Sequence, residues 1–194
     1  MKKLLITGFE PFGGEQINPS WEAVSRLPEQ IGEYSLTKLL LPVIFGKAAD
    51  ITLKKAAEIN PQVIISVGQA GGRSAVTPEL VAINLRHASI PDNEGNQPKD
   101  EPVKNDGENA YFSTIPARKI SEAIASCGIP SQVSYSAGAY VCNDLIYTLL
   151  DSFKENHVRC GFMHIPYCKE QGKEPFMEMA DIVRALEIAI ENLD

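Results

Sequence analysis

Val63-Ile64-Ile65-Ser66-Val67, running straight into Gly68-Gln69-Ala70-Gly71-Gly72-Arg73, is a compact β-branched stretch that ends in a glycine-rich turn. Its composition is that of a central strand covered on both faces, and this reading sets the frame for the rest of the chain. Residues 46–60 ahead of it carry Ile51, Leu53, Ala56, Ala57 and Ile59 on one helical side before Pro61 stops the helix. Further toward the N-terminus, residues 34–43 read as a strand and residues 2–7 as a buried first strand. That first strand leads into the loop Gly8-Phe9-Glu10-Pro11-Phe12-Gly13-Gly14. Asn18-Pro19-Ser20 then opens a helix, with Asn18 as cap, Pro19 at the first helical position, and Trp21, Val24 and Leu27 turned inward.

Toward the C-terminus, residues 86–109 change to Pro, Asp, Asn, Gly, Glu and Lys with little periodicity, a long excursion of the kind that is usually functional or mobile. Residues 116–127 return to helix. A short β-type run over 132–135 meets the small-residue turn Ser136-Ala137-Gly138-Ala139, and Leu145, Ile146, Leu149, Leu150 and Phe153 follow at helical spacing. Residues 158–165 give a last strand, and a closing helix runs from about Pro175 with Met179, Ile182, Val183, Leu186, Ile190 and Leu193 as its apolar side. Strands that alternate with helices predict an α/β protein, a three-layer α/β/α sandwich around a mostly parallel, twisted sheet. A length of 194 residues fits one domain, 1–194.

The composition narrows the function. Hydrophobic residues make up 44% and charged residues 22%, as in soluble globular proteins. A net charge of -7 disfavours nucleic acid and anionic membranes as partners. The N-terminal apolar run is too short for a signal-peptide core, and no segment approaches the roughly 18 apolar residues of a membrane span. A cytoplasmic protein with reduced thiols is expected. Cys127, Cys142, Cys160 and Cys168 contain no C-x-x-C pair and no zinc spacing with histidine, so no structural metal is expected.

Three reactive side chains fall at predicted strand ends or just past them: Glu79, Cys142 and His164. Cys142 lies in or next to the first turn of its helix, where free N–H groups and the helix dipole favour a thiolate and offer an oxyanion site. A cysteine nucleophile needs a base, and the base needs an acceptor that fixes its tautomer. Cys142, His164 and Glu79 supply the three roles. Two of them also have an ordinary reading: a small buried hydrophobe for Cys142, a surface carboxylate for Glu79. His157 sits in a polar helix-end context and His87 beside the irregular segment. Phe9 and Phe12 either fold back onto the core or line a pocket at the carboxyl end of the first strand. The Gly68 to Arg73 turn has no recognised phosphate motif.

Four blocks of sequence carry a resemblance. Gly68-Gln69-Ala70-Gly71-Gly72-Arg73 with Thr77-Pro78-Glu79 and Val81-Ala82-Ile83-Asn84 is similar to the first signature of the pyroglutamyl peptidase I (pyrrolidone-carboxylate peptidase) family. Ser136-Ala137-Gly138 with Tyr140-Val141-Cys142-Asn143 is similar to the second. Phe162-Met163-His164-Ile165-Pro166-Tyr167 resembles the family's histidine segment. The stretch from Thr7 to Gly14, with Asn18-Pro19-Ser20-Trp21, resembles its N-terminal motif.

The resemblance implies a cysteine exopeptidase that removes L-pyroglutamate from N-terminally pyroglutamylated peptides, with Cys142 as nucleophile, His164 as acid/base and Glu79 as the orienting carboxylate. It implies that Phe9 and Phe12 sandwich the lactam ring, and that Gln69 and the backbone near Tyr140 and Val141 meet its amide edges. Ile90 would close an apolar side and Asn18 brace the N-terminal loop. It also implies a homotetramer without a cofactor. Two positions depart from the family pattern: Leu80 stands where a basic residue usually follows the glutamate, and Ser89 where an arginine usually precedes Ile90. These departures leave room for a weakly active or non-catalytic pyroglutamyl-binding homologue. A second alternative is a phosphorylase-like α/β enzyme that binds an anion at the Gly68 to Arg73 turn.

Overall fold

In the computed structural model, which describes all 194 residues, the chain forms ten strands and five α-helices in the order β1(Lys2–Phe9), α1(Pro19–Arg26), β2(Gln30–Ile31), β3(Tyr34–Leu41), α2(Lys47–Ile59), β4(Val63–Gln69), β5(Thr77–Pro78), β6(Val81–Ile83), β7(Ala110–Phe112), α3(Ala117–Ser126), α4(Val141–Phe153), β8(Arg159–Ile165), β9(Tyr167–Cys168), β10(Phe176–Met177) and α5(Met179–Glu191). The main sheet has the order β2-β3-β1-β4-β8-β5. Its four long strands are parallel, and the short edge strands β2 and β5 run antiparallel to their neighbours.

Alternation along each strand divides the apolar residues between two layers. Leu4, Ile6, Val63, Ile65, Val67, Met163 and Ile165 face α1, α3 and α5. Leu5, Phe9, Leu41, Ile64, Cys160 and Phe162 face α2 and α4. This is a three-layer α/β/α sandwich. Gly8 lets α1 close on β1, since a Cβ there would stand 2.8 Å from the Trp21 Cα and 2.9 Å from the Ser20 carbonyl carbon.

Several boundaries differ from the sequence expectation. Residues 132–135 do not form a ladder strand; Ser131 and Ser134 make isolated parallel bridges to Val76 and Glu79. The partner β5 is only two residues long and is already committed to β8 on its other side. The closing helix begins at Met179 because Phe176 and Met177 first pair as a strand with Tyr167 and Cys168. β1 continues to Phe9, beyond the expected end at Thr7.

The 86–109 excursion is irregular but tied down. Arg86 Nε donates to Asp144 Oδ1 over 2.6 Å, and the other oxygen of Asp144 accepts the Gly46 N–H at 2.7 Å. Asp92, also buried, accepts the N–H groups of Phe45, Glu94 and Asn96. Tyr147 on α4 donates to the Glu108 carbonyl at 2.6 Å. No helix is long and apolar enough to cross a membrane.

Candidate active site

β8 carries His164, and its side chain lies on the same sheet face as Phe162, whose ring centroid is 4.7 Å away. Across the ladder, His164 is registered with Gly68 at the end of β4. Gly68 leaves that face bare. A Cβ there would stand 2.9 Å from Cys142 Sγ and 2.8 Å from the Phe162 ring. The glycine therefore lets α4 bring its first turn down onto the sheet, with the Cys142 sulfur over β4 and the imidazole on the adjacent strand.

The third side chain comes from the opposite direction. β5 runs antiparallel to β8, with Thr77 opposite His164, so Glu79 just past its end reaches back along β8. His164 Nδ1 donates to Glu79 Oε1 over 2.6 Å, and both side chains are almost wholly buried. That bond fixes the tautomer and leaves Nε2 as the atom able to accept a proton. Glu79 lies just past a strand end after the glycine-rich turn, as expected, and the strand that delivers it is the antiparallel edge strand β5.

At Cys142, burial works against the helix dipole. Burial, helped by the Glu79 carboxylate, pushes the Cys142 thiol up to about 12, with Arg73 opposing. Burial also holds His164 below the usual imidazole value, although Glu79 pulls it up. Both shifts favour the neutral forms, thiol and imidazole, against the pull of the α4 dipole. Burial raises the Glu79 carboxyl, but its bond from His164 brings it below the ordinary carboxylate range, so it is ionised. Tyr140, the N-cap of α4, provides no side-chain cap, which leaves the N–H groups of Val141 and Cys142 open to an oxyanion.

Beside these groups lies a cavity of about 770 Å³, whose lining includes Phe12, Gln69, Ser89, Ile90 and Tyr140. Gln69 follows Gly68 directly, and Tyr140 stands two residues before Cys142. The Phe12 and Tyr140 rings lie 6.2 Å apart, and the Tyr140 hydroxyl donates to the Pro91 carbonyl at 3.0 Å.

Phe9, expected to sandwich the lactam ring, does not line the cavity, and neither do Asn18 and Val141, of which the first was expected to brace the loop and the second to offer its backbone. Phe9 is 2% exposed and packs against Phe162, because strand parity puts it on the face of Leu5. Asn18 is 3% exposed; its Oδ1 accepts the Ser20 N–H and hydroxyl while its Nδ2 donates to the Glu10 carbonyl. It braces the loop that carries Phe12. Val141 is buried, and only its backbone is near the site.

Sequence reasoning missed Tyr167, Lys173, Glu15 and His87 as cavity residues. It also missed Gln171, whose Nε2 donates to Gln69 Oε1 at 2.8 Å. These come from segments with no periodic signal. Of the remaining histidines, His87 pairs with Asp100 at 2.9 Å and His157 is exposed in the turn after α4. Arg73, in the turn offered to an anion, is bound to Glu79.

The family model for pyroglutamyl peptidase matches residues 2–194. The chain belongs to the pyroglutamyl peptidase family. It is 48% identical to the pyrrolidone-carboxylate peptidase of Brachyspira hyodysenteriae and 46% identical to that of Lactobacillus helveticus, each match covering 97% of both chains. The crystal structure of pyroglutamyl peptidase I from Bacillus amyloliquefaciens is 46% identical and superposes with a TM-score of 0.95, over 100% of this chain and 97% of that one. The pyrrolidone carboxyl peptidase of Thermococcus litoralis is 37% identical with a TM-score of 0.95, over 100% and 93%. Membership in this family of cysteine peptidases leaves no place for the phosphorylase-like alternative.

Proposed function

We propose that this pyroglutamyl peptidase works through Cys142 as nucleophile, His164 as acid/base and Glu79 as the carboxylate that orients the imidazole. The observation that carries this reading is the convergence over Gly68: the Cys142 sulfur above β4, beside an imidazole whose Nδ1 is held at 2.6 Å by a buried carboxylate. As Sγ attacks the pyroglutamyl carbonyl, its proton passes to His164 Nε2, and the carbonyl oxygen gains its charge next to the N–H groups that open α4. His164 then gives the proton to the leaving amine, and a thioester joins the pyroglutamyl group to Cys142. Water, deprotonated by the same imidazole, hydrolyses it and frees pyroglutamate.

The cavity suits the acyl group. A pyroglutamyl ring is flat, compact and uncharged, and Phe12, Ile90 and Tyr140 supply apolar walls while Gln69 and the backbone at Tyr140 and Val141 meet its amide edges. Phe9 and Asn18 support this wall from behind. The whole of 1–194 acts as one catalytic unit without a cofactor. The four free thiols fit a reducing, cytoplasmic setting. Exposed Phe112 and Tyr135 give apolar surface for contacts in a homotetramer.

The test is a single-turnover assay on a pyroglutamyl-arylamide with the wild type beside Cys142→Ala. Release of arylamine by the wild type and a loss of at least about 10⁴-fold in the variant support the reading. Equal rates would refute it, and a silent wild type that still binds pyroglutamyl peptides would identify a binding homologue.

A further inference from the structure

We propose that Arg73 positions the catalytic carboxylate, its guanidinium sharing Oε1 of Glu79 with His164 and holding that carboxylate, and through it the imidazole, in place. The proposal rests on the triad reading above. Arg73 Nη1 donates to Glu79 Oε1 at 2.7 Å and to Thr77 Oγ1 at 2.5 Å, and Nη2 approaches the Ser136 carbonyl at 3.4 Å. Arg73 therefore connects three pieces of the site: the turn after β4, the edge strand that delivers Glu79, and the turn that precedes Cys142.

The burial of the carboxylate gives a neighbouring cation its weight. The Glu79 side chain is 1% exposed; its Oε1 takes both the imidazole and the guanidinium, the Ser134 hydroxyl also draws the carboxylate down, and Oε2 has no hydrogen-bond partner. The imidazole bond does most to keep this buried carboxylate ionised, and the guanidinium adds a charge that does not depend on the protonation of His164. Arg73 is 30% exposed and permanently charged, so it compensates Glu79 whatever the state of His164.

The groups that face this pair are few. β5 contributes Thr77, α4 contributes Cys142, and Ser134 and Ser136 on the neighbouring segment are uncharged. After β8, Tyr167 lies against Gly71 with Lys173 over its ring. Arg73 is the cation that touches Glu79, and its charge draws both His164 and Cys142 downward.

The sign of its removal follows without deciding which group sets the acid limb. Loss of a neighbouring cation raises the proton affinity of His164 and Cys142 alike. The acid limb of kcat/KM must move to higher pH.

The experiment compares pH profiles of wild type, Arg73→Met, Arg73→Gln and Arg73→Lys on one pyroglutamyl-arylamide, with melting temperatures alongside. Arg73→Gln retains hydrogen bonding without charge and substitutes for Arg73→Met if that variant folds poorly. Expected are an acid limb raised by about one pH unit, kcat reduced about tenfold and KM changed far less in both neutral variants, with the limb returned by Arg73→Lys. An unshifted limb in a folded neutral variant, or a loss at all pH values that lysine does not repair, overturns the proposal. Glu79→Gln is measured in parallel. If it behaves as wild type, the triad reading has failed; if it is impaired while the neutral Arg73 variants are unshifted, only the role of Arg73 has failed.

Discussion

The side-chain amide of Gln171 donates from Nε2 to Oε1 of Gln69 across 2.8 Å, and this single bond decides which end of Gln69 faces the cavity. With its oxygen engaged, Gln69 offers its own NH₂ as a donor. Gln171 is held in turn by the Cys168 N–H, which donates to Gln171 Oε1 at 3.1 Å. Gln171→Leu removes the restraint without touching the triad. KM for a pyroglutamyl-arylamide is expected to rise about fivefold, the worth of roughly one hydrogen bond, with kcat within a factor of two. Steady-state kinetics read the split, and an unchanged KM would remove Gln69 orientation from the binding account.

The direction of the His164 shift gives an expected pH dependence. Burial lowers His164, so its protonation, which disables the base, occurs below the usual imidazole value of 6.5. The acid limb of kcat/KM should therefore lie below pH 6.5. Titration over pH 4 to 9 checks this (~0.5 unit steps suffice). A limb above 6.5 would mean that Glu79 outweighs burial.

Thiol reactivity should divide by reagent. Cys160 and Cys168 are buried, and burial pushes them up to about 12 and about 11. Cys142 is raised as well, so the exposed Cys127 after α3 is the thiol a small alkylating agent meets first. Iodoacetamide is expected to label Cys127 without loss of activity. A pyroglutamyl chloromethyl ketone should label Cys142 with complete loss. Peptide mapping separates the two, and indiscriminate labelling of Cys142 by iodoacetamide would restore the thiolate expectation.

Asp151 ties α4 to β7 and to the 86–109 excursion. Burial raises its carboxyl, but bonds from Lys104, Tyr111 and Lys154 bring it down to about 2. A depressed carboxylate stabilises the fold above its unfolded value near 4, and that contribution disappears as pH falls through about 2. Both lysines are about half-exposed, so solvent screening trims the gain. Asp151→Asn should cost about 1 to 2 kcal/mol at pH 7 and only about 0.4 kcal/mol at pH 2, where the folded-state carboxyl is half-protonated. Urea titrations at the two pH values measure it; an equal loss at both would assign the effect to packing.

Ser89 borders the cavity, and its carbonyl accepts from Gln97 at 3.0 Å. Arg86 is bound to Asp144 and Arg73 to Glu79, so both are already engaged and neither is free to stand in for the arginine that the family resemblance implies before Ile90. Ser89→Arg is expected to raise kcat by about tenfold and to alter KM less, since the charge it meets develops toward the transition state. No gain in a well-folded variant would mean that the N–H groups opening α4 already complete the oxyanion site.

The parallel core was legible in the chain because burial on both faces requires the continuous apolar runs of β4 and β8, and helical spacing around Leu145 and Leu149 placed Cys142 in a first turn. Other features depended on pairing partners far away in sequence. Phe9 looked like a loop aromatic, yet the extension of β1 against Leu41 turns it into the core. β5 is two residues long and carries no periodic signal, so the route by which Glu79 reaches His164 could not be read. One local clue did exist for Arg73: Thr77 and Glu79 alternate on one side of an extended run, and both take the same guanidinium nitrogen.

The most direct test of the account is acid-quenched mass mapping of the enzyme during turnover of a pyroglutamyl ester, a substrate that acylates faster than it deacylates. The predicted result is one pyroglutamyl group on the peptide containing Cys142, labile to hydroxylamine as a thioester and absent from Cys142→Ala. Turnover without any acyl-enzyme at Cys142, or the same adduct on another residue, would contradict it.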